Sequence, residues 1–337
     1  MILIDAIYIH ETGGKVLLDY FVSELEKTNA KVCYLFDNRV SKGSYKIKDT
    51  NKVFYEEGKY FRRLNFYVKN KNQFTSIFCF ANVPPPIKTN SVVYTFLHQY
   101  IYLDIPKGYP FVKAAMYFLK TKIIKALIKN TNYWIVQNEN IRYTLSERFK
   151  INSKNILSYP FYPEILKKGN ISQNPLGFIY VSNPFPHKNY FNLIDAFCKF
   201  YDQEKKGELV VTVDKSYKYL YDYIKKKICQ NYPIKNIGFV NRDDIYKYYA
   251  SNRYLIFPSF TESFGLGIIE AIECGCDVIG ADLPYLYQVC EPSLVFDPYN
   301  IESIKKAFIT AANNKNIIKS QSKVTNEIKK IIDLLVK

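Results

Sequence analysis

A chain of 337 residues is long enough for two α/β domains, each burying its own hydrophobic core. Apolar residues make up 48% of the chain and aromatic residues 17%, which argues against a disordered protein. The formal net charge of +16 would suit nucleic acid, an anionic membrane surface or an acidic substrate. The chain is also rich in Lys, Asn, Ile and Tyr as a whole, so the charge alone selects none of these partners.

The seven cysteines contain no Cys-x-x-Cys pair, which disfavours both a disulfide framework and a zinc site. We therefore expect reduced thiols and a cytoplasmic protein. Asp5 interrupts the first apolar run, so no signal peptide is predicted, and no window is long and uncharged enough to span a bilayer.

In the first half of the chain, short apolar runs typical of buried strands alternate with segments that have helical periodicity. Strands are predicted at residues 2–9, 31–36, 76–80, 91–97, 133–137 and 155–159, and helices after Gly14 and at 110–129 and 139–149. The basic, aromatic residues 39–75 receive no assignment. Gly13 and Gly14, between the first strand and its helix, are a phosphate-loop candidate, although strand–helix turns also carry glycine for backbone reasons alone.

A lone histidine, His98, follows the predicted strand 91–97. Such a histidine is more often a hydrogen-bonded structural residue than a catalyst. However, ligands of open α/β sheets bind beyond the carboxyl ends of the strands, where His98 would face the same crevice as Gly13 and Gly14. His98 is therefore a candidate site residue.

The predicted helix 110–129 combines aromatic residues and lysines on one stripe. The stripe consists of Phe111, Ala115, Phe118, Lys122, Lys125 and Lys129. Two interpretations stay open: the helix lies on an acidic membrane surface, or it simply has one buried and one solvated face.

A linker is predicted at residues 160–169, where the composition changes to Pro, Lys, Gly and Asn. The α/β alternation then restarts. Strands are predicted at 177–181, 209–213, 236–240, 254–257, 278–279 and 294–296, and helices at 189–201, 217–229, 243–250, 284–289, 301–312 and 324–336. We expect a first domain at 1–165, a second at 172–315 and a C-terminal helical segment at 316–337, with two parallel sheets facing a central cleft.

The second half contains a strand, a polar loop and a helix in the order RYLIFPSFTESFGLGIIEA (253–271). This order directs free backbone amides and the positive end of a helix at an anion, and glycines 265 and 267 allow a ligand to approach the backbone. Glu262 and Glu270 flank that point, and a carboxylate accepts hydrogen bonds from pairs of sugar hydroxyls. Either glutamate alone would be unremarkable, but the ordered string favours a nucleotide-sugar site.

A second strand-end loop, SNPFPHKN (182–189), places His187 and Lys188 at the start of a helix. A lysine there can neutralise a diphosphate leaving group while a glycosyl bond breaks. In isolation, Lys188 would be interpreted as a solvated residue.

The stretch around Glu262 and Glu270 resembles the donor motif of retaining GT-B glycosyltransferases, above all glycosyltransferase family 4, in which two glutamates eight positions apart bracket an F-G-L-like turn. The resemblance implies that Glu262 holds hydroxyls of the transferred sugar and that Glu270 holds the ribose. It further implies that the segment Ser263, Phe264, Gly265 and Leu266 supplies contacts to the sugar and phosphate.

The same resemblance implies roles for other residues. Lys188 would take the leaving-group charge, His98 would contact the donor sugar or the reacting centre, and Val240 would lie near the nucleotide base. Family members carry an Arg shortly before the lysine, where this chain has Ser182 or Asn183, and Arg242 is a candidate to compensate. The family also packs its last helix back on the first domain.

The predicted function is therefore that of a metal-independent, retaining glycosyltransferase without a cofactor. Its donor would be a UDP- or GDP-linked sugar, and its acceptor a glycan or lipid-linked glycan used in surface polysaccharide synthesis, with an anionic membrane surface as a further partner. Two alternatives stay open: a GT-B-like nucleotide-sugar epimerase, and a non-catalytic basic protein that binds membranes or nucleic acid. With the first interpretation, no nucleic-acid partner is expected.

Overall fold

The computed structural model describes residues 1–106, 109–167, 169–314 and 317–337. The chain forms two compact units. The first unit comprises Met1–Ile105, Phe111–Pro163 and Thr325–Lys337, and the second comprises Pro106–Pro110 and Glu164–Val324. Lys168 of the predicted linker and the predicted boundary between residues 315 and 316 lie outside the described residues.

The first unit is an α/β layer structure built on parallel strands. Its strands are β1 (Ile2–Ala6), β2 (Val32–Asp37), β3 (Lys52–Glu56), β4 (Ser76–Cys79), β5 (Val92–Phe96), β6 (Tyr133–Val136) and β7 (Ile156–Ser158). Its helices up to residue 163 are α1 (Thr12–Leu25), α2 (Tyr60–Asn70), α3 (Phe111–Ala126) and α4 (Glu139–Phe149). Within the described residues, the strands form one sheet in the order β3-β2-β1-β4-β5-β6-β7. The central strands are mostly apolar because helices cover both faces of a parallel sheet.

The unassigned residues 39–75 contain strand β3 and helix α2. Strand β3 is an edge strand with partly exposed residues, so it lacks the apolar run of its neighbours. Helix α2 buries Arg63 together with Phe66 and Tyr67, and a buried arginine interrupts the apolar pattern of a core-facing helix. The guanidinium of Arg63 is held 2.7 Å from the carboxylate of Asp5 in the sheet.

The second unit repeats this architecture. Its strands are β8 (Asn174–Tyr180), β9 (Glu208–Val211), β10 (Ile234–Asn236), β11 (Asn252–Phe257), β12 (Asp277–Ala281), β13 (Cys290–Glu291), β14 (Leu294–Phe296) and β15 (Gln321–Ser322). Its helices are α5 (Tyr190–Glu204), α6 (Lys218–Cys229), α7 (Arg242–Ala250), α8 (Leu266–Glu273), α9 (Pro284–Val289) and α10 (Ile301–Asn313). In the described part of the chain, the main sheet has the order β10-β9-β8-β11-β12-β14, and β13 pairs antiparallel with β15.

The predicted strand 236–240 is wrong, because strand β10 ends at Asn236. Gly238 has a positive φ of 70°, which extended strands do not adopt. The Asn236 side chain accepts hydrogen bonds from the amides of Gly238 (3.2 Å) and Val213 (2.9 Å), and thereby turns the chain out of the sheet. Val240 consequently lies in a loop.

The last helix, α11 (Ile328–Val336), belongs to the first unit. Its residues Ile328, Ile331 and Leu335 are buried in the same hydrophobic cluster as Phe21 of α1. The hydroxyl of Ser76 donates a 3.0 Å hydrogen bond to the carbonyl oxygen of Leu335.

Both sheets have the strand order of a Rossmann-like domain, in which the chain reverses its direction of travel between the first strand and the fourth. The reversal falls between β1 and β4 in the first unit and between β8 and β11 in the second. Loops at the carboxyl ends of these strand pairs leave the sheet in opposite directions and open a crevice for ligands. The two loops that the sequence singled out in the second half follow β8 and β11.

Candidate active site

The residue directly before helix α8 is a glycine in the left-handed backbone conformation, which favours glycine. Gly265 has a φ of 75°, and a methyl group on its Cα would lie 2.9 Å from Cδ1 of Ile268. Phe264, just before it, is buried and anchors the turn. The first helical residue is therefore Leu266, and the amides of the first turn lie directly after the loop that carries Glu262 and Ser263.

The loop after β11 is fixed by a buried hydroxyl that sequence reasoning missed. The Ser259 hydroxyl lies 2.9 Å from Tyr180 Oη, and Tyr285 Oη donates a 2.7 Å hydrogen bond to the Ser259 carbonyl oxygen. The amide of Phe260 donates a 2.8 Å hydrogen bond to the carbonyl oxygen of His187. The loops after β8 and β11 are therefore joined by backbone as well as by side chains.

Lys188 ends a short 3₁₀ turn, Pro186–Lys188, and the next residue holds that turn in place. Asn189 has a positive φ of 57°, which asparagine tolerates better than most residues. Its side-chain amide donates to the carbonyl oxygens of Pro258 (3.1 Å) and Pro298 (2.8 Å). Sequence reasoning missed Asn189, although an asparagine directly before a helix is a recognisable cap residue.

The Lys188 Nζ atom lies 2.5 Å from Glu262 Oε1. The lysine side chain is 15% exposed and the glutamate side chain 11%, so the pair is largely shielded from water. One ion pair therefore joins the residue predicted to neutralise the diphosphate, Lys188, to the residue predicted to bind the sugar hydroxyls, Glu262.

A second ion pair joins Arg242, the first residue of α7, to Glu270 in α8. Burial raises the pKa of Glu270, and the charge of Arg242 opposes that rise. A methyl group on Gly267 would lie 3.2 Å from Tyr249 Oη, a buried hydroxyl for which the described residues provide no hydrogen-bond partner. The first turn of α8 thus passes close to groups able to bind a hydroxyl-rich ligand.

His187 lies in an aromatic stack beside Lys188. Its ring is 5.9 Å from Phe185, at an interplanar angle of 9°, and 6.4 Å from Tyr109. Burial, together with the charge of Lys188, lowers the pKa of His187 to about 4. The imidazole is therefore neutral at pH 7, and its stacked position suits contact with a ring rather than with an anion.

Asn183 and Val240 are placed near these groups along the chain. The Asn183 carbonyl oxygen accepts a 2.8 Å hydrogen bond from the amide of Phe185 and so shapes the loop before Lys188. Val240 is half-buried and precedes Arg242 by two residues.

In the first unit, His98 lies beside the start of helix α1. Asn82 positions it, because its side-chain oxygen accepts hydrogen bonds from the amides of His98 (2.8 Å) and Gln99 (3.0 Å). Burial lowers the pKa of His98 to about 4, so this imidazole is also neutral at pH 7. Sequence reasoning assigned Asn82 only to a rigid loop. In the structure it lies three residues after β4 and has a positive φ of 66°.

Gly13 and Gly14 lie in the first turn of α1, which begins at Thr12, and not in a loop before the helix. A methyl group on Gly14 would lie 3.2 Å from Nε2 of His98. A methyl group on Gly13 would meet nothing within 4 Å. Of the two glycines, only Gly14 lies so close to His98 that a side chain would crowd the imidazole.

Residues 161–331 match the model of the family described as glycosyl transferases group 1, which covers just over half of the chain. The chain belongs to this family. The match includes the loops that carry Lys188 and Glu262 and the helix that carries Glu270.

Curated relatives of this glycosyltransferase match it only in part. The O-antigen chain mannosyltransferase B of Escherichia coli is 38% identical over 72 residues, which is 21% of this chain and 19% of that protein. The serotype-specific mannosyltransferase WbdA of Escherichia coli is 29% identical over 79 residues, or 23% of this chain and 10% of WbdA. The matches therefore span a fifth or less of the relatives' lengths.

Solved glycosyltransferase structures match nearly the whole chain. The sucrose-phosphate synthase of Thermosynechococcus elongatus has a TM-score of 0.72 at 13% identity, covering 100% of this chain and 94% of that one. HepE of Anabaena, solved with UDP and glucose, has a TM-score of 0.67 at 12% identity, covering 100% and 95%. The lipopolysaccharide glycosyltransferase WaaG has a TM-score of 0.65 at 12% identity, covering 99% of each chain. At these identities the likeness concerns the fold, which is of the GT-B class.

Proposed function

We propose that this group 1 glycosyltransferase is a metal-independent, retaining enzyme of family 4. It moves a hexose from a nucleoside-diphosphate sugar to a glycan or lipid-linked glycan acceptor during surface polysaccharide synthesis. The observation that carries the proposal is the pair of contacts Lys188–Glu262 and Arg242–Glu270, which flank the first turn of α8 beyond the switch point of a Rossmann-like sheet.

Each ion pair offers one group for a phosphate and one for hydroxyls. A diphosphate adds negative charge next to Lys188, while Glu262 accepts hydrogen bonds from sugar hydroxyls. Glu270 does the same for the ribose, and the charge of Arg242 opposes the rise in its pKa that burial causes. Arg242 is also the candidate to compensate for the arginine that the family pattern has before the lysine, where this chain has Ser182-Asn183.

In the proposed reaction, the bond between sugar C1 and the phosphate oxygen breaks as an oxocarbenium-like state forms. Lys188 and the amides of Gly265 and Leu266 stabilise the charge that develops on the diphosphate. The acceptor oxygen bonds to C1 on the face that the diphosphate leaves, and the hydroxyl proton departs with the nucleoside diphosphate. Configuration at C1 is thereby retained.

The identity of the donor is inferred from relatives. HepE was solved with UDP and glucose, and the O-antigen relative is a mannosyltransferase. A UDP- or GDP-linked hexose is accordingly the donor class to test first. In the first unit, we assign His98 a neutral hydrogen-bonding role toward the reacting sugar, with Gly13 and Gly14 at the same end of the sheet.

A thermal-shift panel of UDP, GDP, ADP and their hexose conjugates tests the donor. A ligand at 100 times its dissociation constant stabilises the folded protein by about 2.7 kcal/mol, which is readily detected. The product of the reaction with the best donor is then analysed by NMR for its anomeric configuration. Absence of any stabilising nucleotide would contradict the donor site, an inverted product would contradict only the retaining mechanism, and donor conversion without acceptor would favour an epimerase.

A further inference from the structure

Helix α3 exposes an apolar face that the donor site does not use. The outward-facing side chains include Val112 (80% exposed), Met116 (45%), Leu119 (63%) and Ile123 (44%). These residues are spaced by four, three and four positions, so they lie on one side of the helix. Ala115 and Ala126 continue the same face and are also exposed.

The opposite face fixes the helix to the body of the first unit. Ile124 is buried in a cluster with Leu97 and Trp134. The hydroxyl of Thr121 donates a 3.0 Å hydrogen bond to the carbonyl oxygen of Tyr102, whose ring packs against that of Tyr117 at 5.6 Å. The helix is therefore anchored by its polar and aromatic side, and its more apolar side faces outward, which is the reverse of an ordinary surface helix.

Lysines border this outward face on both sides. Lys113 and Lys120 lie along one edge, Lys122 and Lys125 along the other, and all four are exposed. The helix sequence, FVKAAMYFLKTKIIKA, contains no acidic residue. An apolar strip between two basic edges is complementary to the acyl chains and anionic headgroups of a lipid surface.

We propose that α3 docks the protein on an anionic bilayer by lying in the plane of its surface. Its 16 residues are about 24 Å long, and within the described residues no helix is long and apolar enough to cross a membrane. A second copy of the chain is a poorer occupant, because pairing two such faces would bring their lysines together. Nucleic acid would leave the apolar strip in water.

The stripe identified from the sequence therefore includes one edge of this surface and, from its apolar face, Ala115 alone. Phe111, Phe118, Lys122 and Lys125 flank the strip, whereas its centre is Leu119. Lysine heads also lie over neighbouring rings, with Lys122 5.2 Å from the Phe118 ring. The interpretation of α3 as a helix with one buried and one solvated face does not account for the exposed Val112 and Leu119.

Vesicle flotation tests the proposal, with phosphatidylcholine vesicles compared with vesicles that also contain phosphatidylglycerol. We expect wild-type protein to float with anionic vesicles at low salt and to be released as salt is raised. Leu119→Gln/Ile123→Gln should reduce the bound fraction at least about tenfold. Lys113→Gln/Lys120→Gln/Lys122→Gln should reduce affinity by about fivefold for each lysine removed.

Matched controls distinguish binding through this face of α3 from non-specific hydrophobic or electrostatic binding by the rest of the protein. Leu166→Gln/Ile318→Gln removes two aliphatic residues elsewhere that are more exposed than Leu119 and Ile123, and Lys218→Gln/Lys225→Gln/Lys226→Gln removes three exposed lysines from α6. Both controls should bind vesicles like the wild type. Failure of the wild type to bind anionic vesicles, or equal losses in the test and control variants, would overturn the proposal. Concentration-dependent dimerisation that Leu119→Gln/Ile123→Gln abolishes, without vesicle binding, would do the same.

A tryptophan reporter gives a second, independent measurement. Trp134 is the only tryptophan and is 1% exposed, so it contributes a constant background. Fluorescence of Leu119→Trp should shift to the blue and be quenched by brominated acyl chains on anionic vesicles, while that of Ile318→Trp should not. Unquenched emission at position 119 in the vesicle-bound protein would exclude insertion of this face. None of these measurements requires transferase activity, so their failure would leave the donor site untouched.

Discussion

The Nζ atom of Lys188 lies 2.5 Å from Oε1 of Glu262, so two side chains with opposite proposed roles in catalysis are in direct contact. Each neutralises the other in a setting that is mostly shielded from water. Removal of either one leaves an unpaired charge, whose desolvation costs more than the lost contact alone. Each side chain is therefore tested beside an exposed residue of the same type as a control.

The first prediction concerns Lys188. Lys188→Ala should lower kcat by about 10²-fold or more, because the developing charge on the diphosphate loses the cation proposed to stabilise it. The matched control is Lys199→Ala, which removes an exposed lysine paired with Glu302 at 2.6 Å in the same unit. Steady-state kinetics of both variants test this prediction. Similar kcat values for the two would show that Lys188 has no role in the reaction.

The second prediction divides the two glutamates. Glu270→Ala should weaken binding of the free nucleoside diphosphate by on the order of 1–3 kcal/mol, since the ribose loses a charged acceptor. Glu262→Ala should leave that affinity nearly unchanged and reduce turnover instead. Titration calorimetry with the free nucleotide measures both, with Glu302→Ala as an exposed control. Equal losses in both variants would refute the division of roles.

The third prediction is that divalent cations are dispensable. If Lys188, Arg242 and the backbone amides of α8 supply the positive charge, EDTA should change the initial rate little. The assay compares enzyme treated with EDTA, with EDTA plus excess magnesium, and with EDTA plus excess manganese. A rate that collapses in EDTA and returns with either metal would contradict metal independence.

The fourth prediction compares two adjacent glycines in the first turn of α1. Gly13→Ala should stabilise the protein by about 0.5–1 kcal/mol, because alanine favours a helix and its methyl group has space. Gly14→Ala gains the same helix propensity but places a methyl group 3.2 Å from Nε2 of His98, so its net gain should be smaller and its kcat lower. Urea unfolding and kinetics on both variants test this. Equal stabilities and equal rates would show that the approach to His98 is unimportant.

The fifth prediction follows from the titration of His98. Its pKa is about 4 in the folded protein against an ordinary value of 6.5, so between these pH values the unfolded chain binds the extra proton. The free energy of unfolding should therefore fall as the pH is lowered from 6.5 to 4. His98→Gln removes this contribution, so the difference in stability between the two proteins should shrink over that window. His187 and the carboxyl groups are present in both proteins and cancel, and a constant difference would refute the shifted pKa.

Periodicity predicted most of the fold because parallel sheets leave strong patterns. Helix α4 was predicted at its observed bounds, as was α9, and both sheets were expected to be parallel. Predictions from periodicity were missing or wrong where buried polar side chains form part of the structure. Arg63 is buried against Asp5 in the middle of a helix, and Asn236 ends a strand whose apolar run continues to Val240.

The site was predictable to the extent that its chemistry follows sequence order. The loops carrying Lys188 and Glu262 were singled out because each follows a buried strand. Their contact was not predictable, because it depends on β8 and β11 being neighbours in the sheet although they lie far apart in the chain. The supporting residues Asn82, Ser259 and Asn189 act through a few specific hydrogen bonds each, which leave no periodic trace in the sequence.

Helix α11 completes the core of the first unit, yet it is the last helix of the described chain. During synthesis the first unit must wait until the entire second unit has left the ribosome before Ile328, Ile331 and Leu335 can reach their places beside Phe21. The second unit faces no such delay, since its own segments are complete by Val324. Nascent chains of this protein should therefore mature in the order opposite to their translation, with the second unit becoming protease-resistant first, and the first unit should depend longest on chaperones.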